Sequence, residues 1–205
     1  RINAQLIDVR TDEHLWAESY DRDLTAANIF EMQGEIAHAI ANELSATLTT
    51  QDSRQLAIIP TSNMAAYRAY HRALHLRDAS PANISSPEYL QALETAVELD
   101  PIFSRAWAEL VSTLAFLNIR GDRPELTLRA EQALQHLQDI APGSADHLIG
   151  QAAYVYYALK DYDQAHDLVS LALAMQPSDV NAVRLRSWIE RRQGEFEASQ
   201  ETKKE

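Results

Sequence analysis

The sequence contains no cysteine. That excludes disulfide bridges, thiol nucleophiles and cysteine-ligated zinc. Its 5 glycines are scattered through 205 residues, so there is no glycine-rich loop to cradle a phosphate and no G-x-S-x-G elbow. Positive charge is in deficit, with a formal net charge of −12. Such a chain lacks the basic footprint of nucleic-acid binding. An anionic lipid surface would repel it as a whole. Neither nucleic acid nor direct membrane contact is therefore expected. No run approaches the roughly 18 consecutive apolar residues of a membrane span, and no signal peptide opens the chain. The sequence starts at Arg1 and goes straight into strand-like residues, so it is expected to be a piece of a longer protein. Missing cysteines do not fix a compartment; the cytoplasm is the expectation and the periplasm the alternative.

What is present favours helix around a real core. Apolar residues make up 46% of the chain, prolines number only 7, and Ala, Leu and Gln abound. Residues 1–50 stand apart from the rest. "RINAQLIDVR" and "HLWAESY" are β-branched and aromatic, with Thr11-Asp12-Glu13 as a polar turn between them. The period then changes. Ile29, Met32, Ile36, Ile40 and Leu44 recur every three or four residues and predict one face of a helix. Asn28 and Glu31 fit a capping box, and Asp21-Arg22-Asp23 suggests a local ion pair. Two strands alone are marginal in water, and their open edges invite pairing with a second copy. Residues 51–63 lose periodicity and read as a linker ending in a helix cap near Thr61–Asn63.

From residue 64 the pattern is helical, punctuated at Pro101, Pro142 and Pro177. Regular breaks at this scale predict repeats. The sequence "ALETAVELDPIFSRAWAELVSTLAF" shows why: one helix stops at Asp100-Pro101 and another restarts at once, carrying Trp107. Residues 64–205 resemble the tetratricopeptide family. One copy carries Ile149, Ala152, Ala153 and Tyr156 on a first helix, Ala165, Val169 and Ala172 on a second, and Pro177 as the stop. Another carries Trp107, Leu110, Val111 and Leu114, then Ala130, Leu134 and Leu137, then Pro142. A third has Ala69, Ala73 and Leu76, a longer loop, then Leu93, Ala96 and Pro101, with Tyr89 where a small residue is usual. The units run over 64–101, 102–142 and 145–177, with a partial, more polar copy at 180–205 in which Gly194 and Phe196 fit but Arg186 and Glu190 do not. The resemblance implies a mainly α fold, an α-α superhelix of antiparallel helix pairs that need no distant contacts. It makes Trp107 core, with a loss on truncation of about 3–5 kcal/mol.

A second resemblance covers residues 1–50. Gln5, Leu6, Asp8, Thr11, His14, Leu15, Trp16, Tyr20, Asp21 and Arg22, followed by Phe30, Gln33 and Ile36, are similar to the end of a TolB-like α/β domain, with Gly34 departing from the acidic residue of that pattern. In that family the region precedes tetratricopeptide repeats in bacterial signalling proteins. A class III nucleotide cyclase or a winged-helix transcription regulator commonly lies upstream. None of that catalytic or DNA-binding sequence is present, and a fold alone transfers no activity.

The residues offer three candidate sites. His71 and His75 share a helix face at i, i+4 spacing and could chelate a metal. No HExxH frames them, and partly exposed repeat histidines is the simpler reading. "DEHLWAESYDRD" is acidic but lacks the loop of a calcium-binding hand; its alternation fits a strand. No catalytic residue, cofactor or metal is expected. The remaining candidate is the concave face, where first helices present Tyr67, Tyr70, Arg105, Ser112, Phe116, His147, Tyr154, Tyr157, Arg184 and Trp188. Tyrosine, tryptophan and arginine anchor interfaces, and Arg184, Arg186, Arg191 and Arg192 concentrate positive charge near the end of an acidic chain. Such a groove suits a protein or peptide ligand, with arginines taking carboxylates. The same aromatics could equally pack between repeats. Pairing of copies through the N-terminal strands or the outer repeat is the alternative function.

Overall fold

The computed structural model describes residues 1–23, 25–45 and 59–194. The expected linker and Phe196 fall largely or wholly outside the described residues. The chain forms two compact units, Arg1–Met64 and Ala65–Glu205.

In the first unit, β1 (Ile2–Asp8) and β2 (Glu13–Tyr20) form an antiparallel hairpin. Ile2 pairs with Tyr20 and Leu6 with Trp16, after which the register shifts so that Ile7 faces His14. Leu15 is left over as a bulge on β2, which bends and twists the strand. Asp12 closes the turn with its N–H on the Asp8 carbonyl at 2.8 Å, in a left-handed conformation with φ of 58°. Helix α1 (Ala26–Glu43) packs on β2, and Tyr20, Phe30 and Met32 are buried.

Two local expectations are corrected here. The cap of α1 is Thr25, whose hydroxyl accepts the Asn28 N–H at 3.2 Å, so the helix starts earlier than an Asn28 cap would allow. Asn28 instead donates its side-chain amide to the Asp23 carbonyl at 2.8 Å. Arg22 does not pair with its sequence neighbours. It reaches Glu31 at 3.0 Å and Glu35 at 2.9 Å, because carboxylates one helical turn apart converge on one guanidinium.

The second unit is helical. It contains α2 (Met64–Ala79), a 3₁₀ turn (Pro81–Ser85), α3 (Pro87–Leu99), α4 (Ser104–Leu117), α5 (Pro124–Ile140), α6 (Ala145–Tyr154), α7 (Tyr162–Met175) and α8 (Val180–Gln193). The helix starts are written in short polar residues. The side chains of Ser86, Ser144, Asp161 and Asp179 each accept a first-turn N–H, satisfying donors the helix cannot. Thr61 accepts the Asn63 N–H at 2.9 Å just ahead of α2. Pro101, Pro142 and Pro177 fall in the connections between α3 and α4, α5 and α6, and α7 and α8. Proline there removes the N–H that would extend the preceding helix.

Stacking follows the repeat grammar. Helix α4 packs on α3, α5 and α6, while α6 packs on α5, α7 and α8. Small residues sit where backbones approach: Ala73, Ala96, Ala130, Ala152, Ala153, Ala165 and Ala172 are fully buried. Gly150 is the tightest such point, since a Cβ there would lie 2.9 Å from Leu137 Cδ2 and 3.5 Å from Ala108 Cα. Tyr89 is accommodated with no exposed surface, its hydroxyl donating to Glu109 at 2.6 Å.

Trp107 is not interior core. It is half-buried at the α3–α4 boundary, with Nε1 donating to the Pro101 carbonyl at 2.9 Å and its ring 4.4 Å from that of His136. With one face open, its truncation is worth about 1–3 kcal/mol rather than the full-core value. The repeats also do more than touch their neighbours. Arg77 on α2 donates to Asn181 on α8 at 3.2 Å, across 104 residues.

Candidate functional site

A cavity of about 600 Å³ lies inside the second unit. Its walls come from the ends of α2 and the 3₁₀ turn, the later turns of α4, the end of α6, and α8. Most of these are first helices of successive pairs, which is why one cavity collects side chains from across the array.

At one end the polar groups are matched. Arg77 Nη1 lies 3.0 Å from Glu109 Oε1, which also accepts the Tyr89 hydroxyl. Asn181 Nδ2 donates to Glu109 Oε2 at 3.0 Å. Arg77 and Glu109 are about nine-tenths buried. Burial works against the Arg77 guanidinium, but Glu109 and its other neighbours outweigh it and hold its pKa above normal. Burial first, then Glu109, pushes the Tyr89 hydroxyl far up. A second clasp lies a turn nearer the start of α4. There Arg105 pairs with Asp146 of α6 at 3.0 Å, with Asp179 at the cap of α8, and with the Gln176 carbonyl oxygen of the side chain at 3.2 Å.

The rest of the lining is different. Phe116 of α4, Tyr157 and Trp188 of α8 form an edge-to-face series, with centroids 5.5 and 6.5 Å apart. Arg184 lies over the Trp188 ring at 5.9 Å, a cation–π distance, and donates to Asn181 at 2.7 Å. Arg191 and Arg192 are exposed beside it. Among the described residues no carboxylate pairs with Arg184, Arg191 or Arg192. The lining thus holds four guanidiniums and one carboxylate, Glu109.

The end of α6 explains the aromatic wall. Val155–Leu159 forms a π turn closed by Lys160 in a left-handed conformation with φ of 61°. The wider turn breaks the regular spacing. Tyr156 and Tyr157, adjacent in sequence, both line the cavity, while Tyr154 points away and donates to Glu131 of α5 at 2.6 Å. Burial first, then Glu131, raises the Tyr154 pKa to about 12. Lys160 Nζ holds the Ile119 carbonyl at 3.2 Å and also the Tyr157 carbonyl, tying two helix ends together.

Of the residues singled out in the sequence, the structure gathers Ser112, Phe116, Tyr157, Arg184 and Trp188 around this cavity. The others lie elsewhere. Tyr70 is buried against Phe103, with ring centroids 5.2 Å apart. Tyr67 packs its ring 4.2 Å from His71. His147 is buried and accepts the Gly143 N–H on Nδ1 at 3.2 Å, closing the turn into α6; burial lowers its pKa. Arg105 is consumed by its clasp. An outward-facing placement is therefore corrected for Tyr70, His147 and Tyr154, because helix-to-helix packing claims those faces. Arg186 turns to Glu190, 3.5 Å away, rather than to the cavity. Sequence reasoning missed Arg77, Glu109 and Asn181, whose spacings of 32 and 72 residues carry no local signal. Among the described residues no group of three or more acidic, histidine or cysteine side chains could hold a metal.

The array is thus a stack of helix pairs around an arginine- and aromatic-lined cavity. No family model matches the chain. Over 120 residues it is 35% identical to putative adenylate cyclase 3 of Rhizobium meliloti (strain 1021), a match that covers 58% of this chain and 20% of that protein. The solved MamA protein aligns over 87% of this chain and 88% of its own, with 15% identity and a TM-score of 0.38, too low to carry fold or function.

Proposed function

We propose that this chain is a non-catalytic protein-interaction part of a bacterial signalling or regulatory protein, taking a protein or peptide ligand at the cavity. The observation behind it is the cluster of Phe116, Tyr157, Trp188 and Arg184 on one concave wall. Such residues supply most of the energy at interfaces. The 120-residue similarity to a protein named as an adenylate cyclase supports a signalling parent. In this reading residues 1–50 are the end of a TolB-like domain, 51–63 the linker and 64–205 the tetratricopeptide-like array, in the cytoplasm. Among the described residues no helix is long and apolar enough to cross a membrane.

The test captures a partner from extract on immobilised chain and then titrates the partner once identified. Arg184→Glu and Trp188→Ala each weaken binding at least tenfold, while Leu171→Ser, at an exposed position on α7, leaves it unchanged. Equal binding by all three variants removes the cavity from the interaction.

A second reading is pairing of copies through the hairpin. Among the described residues each strand has only one partner, and an unpaired edge is a template for another strand. Light scattering that finds a strict monomer at high concentration disposes of it.

A further inference from the structure

We infer that the cavity binds a compact organic anion, an aromatic or branched apolar body carrying one carboxylate or phosphate, going beyond the peptide reading above. Four observations converge. The volume, about 600 Å³, is that of a small-molecule site, for which about 300–1,000 Å³ is usual. The clasp of Arg77, Glu109 and Asn181 ties α2, α4 and α8 together along the lining. A lining held this way is largely pre-formed, as small-molecule sites are.

Charge gives the sign of the ligand. Glu109 would repel an anion were it free, but it accepts from Arg77, Tyr89 and Asn181. Its charge is spent within the protein. Arg184, which shares the Asn181 side-chain oxygen with Arg77, and Arg191 and Arg192 further along α8 have no carboxylate among the described residues, in a chain with a net charge of −12. Guanidiniums lining a cavity with no carboxylate beside them among the described residues suit one supplied by a ligand.

Tyr157 makes the fourth observation. Most of its ring is buried while it lines the cavity, and its hydroxyl, open to the cavity, donates to no group among the described residues, so it is available to a ligand oxygen. An anionic oxygen in the cavity is an acceptor it can take. The body of the ligand then lies against Phe116 and Trp188 as an apolar ring would.

The experiment is calorimetric titration of the whole chain with 2-naphthoate, 2-naphthyl phosphate and the neutral 2-naphthamide. One site per chain is expected, with either anion binding at least tenfold tighter than the amide. The tighter of the two anions identifies the headgroup. Arg191→Gln, an exposed position that no buried contact needs, weakens the anions several-fold and leaves the amide unchanged. Tyr157→Phe does the same to a smaller degree. Trp188→Ala weakens all three, and circular dichroism verifies that each variant keeps its helix content. Absence of saturable heat, equal affinity for anion and amide, or anion binding untouched by Arg191→Gln overturns the inference. Partner capture is measured without these compounds, so failure here leaves the protein-interaction reading to its own test, and the reverse.

Discussion

Two groups of arginines in the helical unit behave oppositely. In one, each guanidinium has carboxylates: Arg77 has Glu109 and Asp78, and Arg105, outside the cavity lining, has Asp146 and Asp179. In the other, Arg184, Arg191 and Arg192 line the cavity and face no carboxylate among the described residues. The first group holds helices together, and the second gives the cavity wall its charge. Composition does not distinguish the roles; what decides is whether a carboxylate is within reach on a neighbouring helix.

Removing a partner from the first group gives the largest effect. Glu109→Ala leaves the buried Arg77 with only the exposed Asp78, 3.2 Å from it, and costs about 2–4 kcal/mol, read as a fall in the urea midpoint. Arg105→Ala follows at about 2–3 kcal/mol, since Asp179 is nearly fully buried but retains the Asn181 and Ala182 N–H groups. Gly150→Ala, between α6 and its neighbours, costs about 1–3 kcal/mol through overpacking against Leu137. Arg191→Gln changes stability by no more than about 0.5 kcal/mol, although it is the variant expected to weaken an anion. A stability loss at Arg191 comparable to that at Glu109 would erase the distinction between the two groups.

Acidity sharpens the comparison further. Burial lowers the pKa of His147, which sits at the start of α6 beside Asp146, and of His71. A histidine kept neutral by folding takes up its proton more readily when unfolded. Its contribution is therefore intact above about pH 6.5 and is lost as pH falls from there through the lowered folded value. The urea midpoint is expected to drop between pH 7.5 and 5.5, and His147→Asn to reduce the drop. An unchanged difference in that variant would assign the effect elsewhere.

Much of the helical unit could be read from the residues alone. Prolines at 101, 142 and 177 mark connections because proline lacks the N–H that continues a helix, and the alanines fall where backbones nearly touch. Repeat register assigns ten residues to one concave face, and only Ser112, Phe116, Tyr157, Arg184 and Trp188 of them line the cavity. What could not be read depends on chain reversals or local departures from period. The π turn at Val155–Leu159 separates Tyr154 from Tyr157, although i, i+3 spacing puts them on one face. Glu109 finds Arg77 and Asn181 only after three helix pairs have stacked. Thr25 outcompetes Asn28 as a cap by a choice of three residues that side-chain preference cannot settle, since both types cap well.

The bond from Arg77 to Asn181 joins the first helix of the array to the last. A linear row of modules can lose its terminal member and keep the remainder, since each is answerable only to the next. Here the row is fastened to its own beginning. Deleting α8 would strip a ligand from Glu109 and unseat the opening pair as well, so the modules are bound to melt as a single cooperative body rather than fray from the tail.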